Sequence, residues 1–214
     1  MFKLWLQISR HMGIIDEFIA SKSVKACFQE AVSKFFNEKL RGLIVPHAGY
    51  IYSGSVAATG YQLMKKGSYD RVMVIGFYHG GLEEHSVKIQ IPLLKYILGE
   101  KIEIEEKYID KIIDLELNDR TMVVASSDLS HYRPLTVAKI LDEQTIKAIL
   151  SRNEEKIYQK ADACGIWPIL TINRLAKKYN WQPKLLDYRT SADVTHDKSS
   201  VVGYGCIGYF EHNT

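Results

Sequence analysis

The stretch GLIVPHAGYIYSG, Gly42 to Gly54, decides how the rest of the chain reads. Leu43 to Val45 is a short apolar run of strand character, and Pro46 closes it because proline brings no N–H to a ladder. His47 falls on the first loop residue, with Gly49 and Gly54 offering backbone turns that other residues resist. Tyr50 and Tyr52 are placed to wall a cleft. A strand running into a glycine loop that carries a histidine is a common way for α/β proteins to build a site. Taken alone, a loop histidine is more often solvated or structural.

Two further runs repeat the form. RVMVIG (Arg71 to Gly76) ends in Phe77-Tyr78-His79-Gly80-Gly81, and TMVVA (Thr121 to Ala125) runs into Ser126-Ser127-Asp128-Leu129-Ser130-His131-Tyr132. Continuous apolar runs of this length suit parallel strands buried on both faces. Helical spacing occupies the gaps. It predicts helices from Ser23, as N-cap, to Leu40, from Ser55 to Lys66, from Pro92 to Leu98 and from Glu106 to Leu115. It also predicts Thr136 to Leu150, Glu154 to Asp162, and a helix after Cys164-Gly165 to about Tyr179. Glu84 to Ile91 alternates like a strand, Lys101 to Glu105 reads as a brief one, and Lys184 to Tyr188 and Ser200 to Phe210 read as closing strands. Residues 1–22 show no strong period and read as a mix of strand and short helix. The alternation indicates an α/β fold with a largely parallel sheet.

The totals bound the function. At 214 residues, with no linker or repeat, the chain reads as one domain. A net charge of +3 without a basic run points away from nucleic acid. Three widely spaced cysteines do not make a disulfide framework, so a reducing cytoplasm is the simpler setting. No apolar stretch is of membrane-spanning length.

The chemistry lies where the histidines fall. His47, His79 and His131 each follow a strand, and ligands of open α/β sheets bind beyond the carboxyl ends of strands. The three therefore converge on one crevice. Imidazole is a ligand for Zn, Cu and Fe. Asp128 and His131 read as further ligands or as an acid/base pair, and Asp128 also reads as a plain loop cap. Glu84 and His85 form a second polar pair after the His79 loop, or else an exposed strand start. Cys164 precedes a helix, whose dipole favours thiolate; it is either a soft ligand or an inert buried thiol. Cys27 and Cys206 read as packing, His11 and His212 as terminal residues without a site role, and His196 as part of a solvated loop.

The motifs VPHAGYIYSG, VIGFYHGG, EHSVKIQIP, VVASSDLSHY, ACGIWPIL and YRTSADVTHDKSSVVGY together resemble the Memo family, whose prokaryotic members are the protein B component of AmmeMemoRadiSam neighbourhoods. The resemblance runs from about Gly42 to Phe210; the first forty residues match it poorly. Memo proteins are similar to class III extradiol, LigB-like dioxygenases. This implies a single three-layer αβα domain with a central, largely parallel but mixed sheet. It also implies a non-haem metal (Fe, Cu or Zn) held by His47, His79 and Cys164, where the dioxygenases use a carboxylate in place of the thiol. SSDLSHY places Asp128 and His131 beside that metal, His131 as general acid/base held by Asp128. The loop after His79 and the stretch from Gly99 to Arg120 are shorter than in the family, and Lys88 stands where the family carries an acid. The implied activity is metal-dependent redox or dioxygenase-like chemistry on a small molecule. The other readings are a Zn-dependent hydrolase and a non-catalytic peptide or phosphopeptide module. Implied partners are AMMECR-type and radical SAM proteins.

Overall fold

Leu43, Ile44 and Val45 are fully or almost fully buried because strand β1 (Leu40–Val45) lies inside a sheet covered on both faces. The structure, a computed structural model, describes residues 16, 19, 21–34, 36–79 and 85–212. The strands that follow are β2 (Arg71–Gly76), β3 (Glu103–Tyr108), β4 (Thr121–Ser126), β5 (His131–Arg133), β6 (Gln182–Thr190) and β7 (Val201–Phe210). The main order is β3-β2-β4-β1-β7, with β6 on the far side of β7 and β5 also pairing with β7. β1 to β4 are mutually parallel, and only β7 opposes its neighbours β1, β5 and β6.

The order positions the site. β4 enters the sheet between β1 and β2, so the loop after β4 emerges between the loops after the other two. Val45 pairs with Ser126 and Ile75 with Ala125. The three strands therefore end at one level, and their loops share one edge.

Alternate side chains of each strand point to opposite faces, and the core divides accordingly. Leu43, Val45, Val72, Val74, Met122 and Val124 pack with helices α1 (Val24–Gln29), α2 (Ser55–Tyr61) and α4 (Gln90–Leu98). Ile44, Met73, Ile75, Val123, Ile207 and Tyr209 pack with α5 (Leu135–Leu150), α6 (Glu154–Lys160) and α7 (Ile166–Lys178). The result is helix, sheet, helix, with the short helices α3 (His85–Lys88) and α8 (Ala192–Thr195) in connections.

Several expectations are corrected. The helix expected from Ser23 to Leu40 stops at Gln29, although Ser23 does cap it by accepting the Ala26 N–H at 3.2 Å. Phe36 beyond it packs on Phe210 from an irregular segment. Leu40 to Gly42 are strand, since buried Arg41 ties the start of β1 to the Asn118 and Asp119 carbonyls. The chain between β1 and α2 is already coiled, as a π-helical turn from Tyr50 to Gly54. Gly49 (φ −51°) and Gly54 (φ −59°) use no left-handed geometry; a Cβ on Gly54 would lie 2.5 Å from Cys27 Sγ, so closeness is what requires glycine there. Residues 85–91 are helical, not a strand, and the helix expected from Glu106 is instead the end of β3 followed by irregular chain. Residues 1–15, including His11, and Gly80, Gly81 and Glu84, for which the sequence raised expectations, lie outside the described residues.

Ile207 and Leu185 are register partners, yet Ile207 is fully buried and Leu185 is 41% exposed. Ile207→Ala is expected to cost about 2–5 kcal/mol and Leu185→Ala within about 0.5 kcal/mol in urea unfolding. Equal costs would contradict this core.

Candidate metal centre

His47 is placed through its backbone and both ring nitrogens. Its backbone N–H donates to Asp128 Oδ1 at 2.8 Å, which ties the loop after β1 to the loop after β4. Its Nδ1 lies 3.0 Å from Ser126 Oγ, on the last residue of β4. Its Nε2 faces Cys164 Sγ at 3.5 Å, with Asp128 Oδ2 at 4.0 Å. The residue itself is buried.

Cys164 reaches this point through tight backbone packing. Its N–H donates to the Asp128 carbonyl at 3.3 Å, and its Sγ accepts the Asp128 N–H at 3.3 Å. Gly165 follows, and its N–H donates to Ser127 Oγ at 2.9 Å. A Cβ on Gly165 would lie 2.6 Å from both the Ser126 carbonyl oxygen and Ser127 Cβ. Only glycine lets the turn before α7 lie this close to the end of β4.

His79 comes from the loop after β2 and is exposed. Its ring lies 5.1 Å from that of His47, edge-on, and 4.1 Å from Phe77. His47, His79 and Cys164 each offer one ligand atom, and these atoms lie within 4.8 Å of one another. Among the described residues this is the group of histidine, cysteine and acidic side chains with metal-ligand proximity. Two imidazoles and a thiol in this proximity match the donor chemistry of Fe, Cu or Zn.

The other expected residues are distributed around this group. Asp128 is buried behind His47, and burial pushes its carboxyl above the usual carboxylate range. The His47 N–H and the charges of His131 and His85 act in the opposite direction. His131 is half-buried on β5, opposite Val202. Tyr50 is not a cleft wall: it is core, and its O–H donates to the Ile89 carbonyl at 2.6 Å. Tyr52 is partly exposed. Cys27 and Cys206 are buried free thiols, and His196 is exposed.

Cys164 corrects the dipole argument. Burial, followed by the charge of Asp128, pushes its thiol up to about 12, so the helix N-terminus does not make it a ready thiolate. A bound cation would have to displace the proton.

Three further neighbours surround the group, and of these the sequence singled out His85 alone. His85 is not an exposed strand start: its ring lies 4.6 Å from His79 and 5.4 Å from His47. Gln90 is fully buried and donates to Ser126 Oγ. Asp142, buried on α5, accepts the Ser130 N–H at 2.8 Å and the Tyr188 O–H at 2.7 Å, and so braces the Asp128 loop from behind. For His85 the signal was present as a polar residue following a strand-end loop. For Gln90 it was a polar residue within an apolar stretch.

The comparisons with known proteins agree with the motifs. A family model described as Memo-like protein matches residues 16–84 and 80–208, which extends the likeness into the N-terminal stretch. The two matched pieces overlap over residues 80–84, just after His79. A MEMO1 family protein of Sulfurisphaera tokodaii is 32% identical over 226 residues, covering 75% of this chain and 80% of its own length. One from Methanococcus vannielii is 30% identical over 240 residues, covering 79% and 84%. One from Metallosphaera sedula is 32% identical over 225 residues, covering 75% and 80%.

The raised Cys164 thiol has a measurable sign. Below its pKa the group is protonated and unreactive. In metal-stripped protein, iodoacetamide alkylation of the Cys164 peptide should climb steadily from about pH 7 to about pH 10 without a plateau. A plateau below about pH 9 would instead show a dipole-stabilised thiolate.

Proposed function

The chain belongs to the Memo-like protein family, and on that premise we propose that His47, His79 and Cys164 hold a redox-active metal ion, iron or copper, at the carboxyl edge of the sheet. The observation that carries this reading is the meeting of three donor atoms within 4.8 Å, brought together from separate loops. A surface cluster of acids would be ordinary; two imidazoles beside a half-buried thiol, with the thiol 3.5 Å from one ring nitrogen, are not. When bound, such an ion supplies electron transfer to oxygen or to an organic substrate, or polarises a substrate oxygen.

The chain's own residues divide the remaining work. Asp128 holds the His47 backbone and faces its ring, fixing where Nε2 points. Its buried carboxyl and the imidazole of His131 form the pair that takes up or returns a proton. His79 and His85 line the open side of the group, where a small molecule enters. Exposed Tyr78 and Tyr132 follow the same strand-end loops and favour an organic, ring-bearing substrate. The three free thiols support a reducing, cytoplasmic setting. No helix among the described residues is long and apolar enough to cross a membrane.

Elemental analysis of protein purified without chelators tests this reading. We expect about one iron or copper per chain, reduced at least about tenfold in each of His47→Ala, His79→Ala and Cys164→Ala. Full occupancy in all three variants would overturn the site; zinc alone would move the chemistry to activation of a bound water. Gly165→Ala keeps every donor yet drives a methyl group into Ser127 and the Ser126 carbonyl, so it too should lose metal. Because Cys164 must lose its proton on binding, affinity should rise with pH throughout the neutral range.

A further inference from the structure

We infer that Ser126, held by Gln90, is a positioning residue that sets which nitrogen of His47 carries hydrogen and exchanges donor for acceptor when a cation occupies Nε2. The second half of this rests on the metal reading above. Gln90 opens α4, and both it and Ser126 are fully buried. The Gln90 Oε1 accepts the Tyr61 O–H at 2.8 Å. Its Nε2 donates to the Pro46 carbonyl at 2.9 Å and to Ser126 Oγ at 2.9 Å. A carbonyl can only accept, so the amide orientation is fixed and both Nε2 hydrogens are used.

Ser126 Oγ therefore gives one lone pair to Gln90. It keeps one O–H and one lone pair, and His47 Nδ1 lies 3.0 Å away. With no cation on Nε2, the arrangement that uses the buried Ser126 donor has its O–H donating to Nδ1. Neutral His47 then carries its hydrogen on Nε2, which faces Cys164 Sγ at 3.5 Å, while the Cys164 S–H reaches the Asp128 carbonyl at 3.6 Å. The donors run in one sense from Tyr61 through Gln90, Ser126, His47 and Cys164 to Asp128.

A cation needs the Nε2 lone pair. The imidazole hydrogen must then sit on Nδ1 and donate to the remaining lone pair of Ser126. Nε2 loses one proton to solvent and Nδ1 gains one, so His47 contributes no net proton; the one released comes from Cys164. A hydroxyl can serve both states without moving its oxygen. A carboxylate or carbonyl in its place would hold hydrogen on Nδ1 in both.

Long-range ¹H–¹⁵N correlation spectra of the histidine rings test this, with His47 assigned by comparison with His47→Gln. Metal-stripped wild type should carry hydrogen on Nε2, and Zn²⁺-loaded protein on Nδ1. Ser126→Ala should lose the preference for Nε2 in the stripped state and bind Zn²⁺ about 10–100-fold more weakly. Gln90→Met, which keeps the hydroxyl but not its donor, should shift both measurements in the same direction by less. The wild-type spectra decide the tautomer even if a variant fails to fold. Hydrogen on Nδ1 in the stripped wild type, or unchanged Zn²⁺ affinity in folded Ser126→Ala, overturns this inference and leaves the metal reading standing. Wild type that takes up no Zn²⁺ overturns the metal reading, and with it the exchange.

Discussion

Asp128 is the residue through which the candidate centre is joined. Its carboxylate takes the His47 N–H, its own N–H points to Cys164 Sγ, and its carbonyl takes the Cys164 N–H. One buried residue thus couples the loop after β1, the loop after β4 and the turn before α7. Burying a carboxyl is costly unless its oxygens are hydrogen-bonded. The backbone of the neighbouring loop meets part of that need, and the ring of His47 is positioned in the process. The geometry then follows from strand order, because β4 is inserted between the strands that carry His47 and His79.

The same edge illustrates how close packing selects residues that chemistry alone does not. Gly165 has no role toward a ligand, yet a methyl group there would strike the β4 loop. Cys164 gains its position from that closeness and also its raised thiol pKa, since the packing strips water from the sulfur and sets it against the Asp128 carboxyl. Position and proton affinity are set by one packing arrangement. A centre of this kind resists loose binding: a ligand cation must compete with a strongly held proton.

The sheet was legible where burial on both faces left continuous apolar runs, as in Arg71 to Gly76 and Thr121 to Ser126. His47 and His79 were legible for the same reason, because the ends of those runs are sharp, whereas His131 lies on β5 outside the three-donor group. Cys164 required the resemblance, since nothing local in Ala-Cys-Gly separates a ligand from a packing thiol. The helix from Ser23 was overextended because Phe36 contributes its ring to the core from irregular chain, so spacing there carries no helical meaning. The strand reading of residues 84–91 failed because Val87 and Ile89 are buried from a pair of short helices, and alternation over so few residues fits both. What Gln90 and Ser126 touch was beyond reach, since the contacts joining them to Pro46, to each other and to His47 span 36 to 79 residues and are set by the strand order.

The central claim is that one thiolate and two imidazoles share an ion. X-ray absorption of the Zn²⁺-loaded protein tests this most directly. The account predicts one sulfur at about 2.3 Å and nitrogen scatterers at about 2.0–2.1 Å, with the sulfur lost in Cys164→Ser. A shell of nitrogen and oxygen alone, unchanged by that substitution, would contradict it.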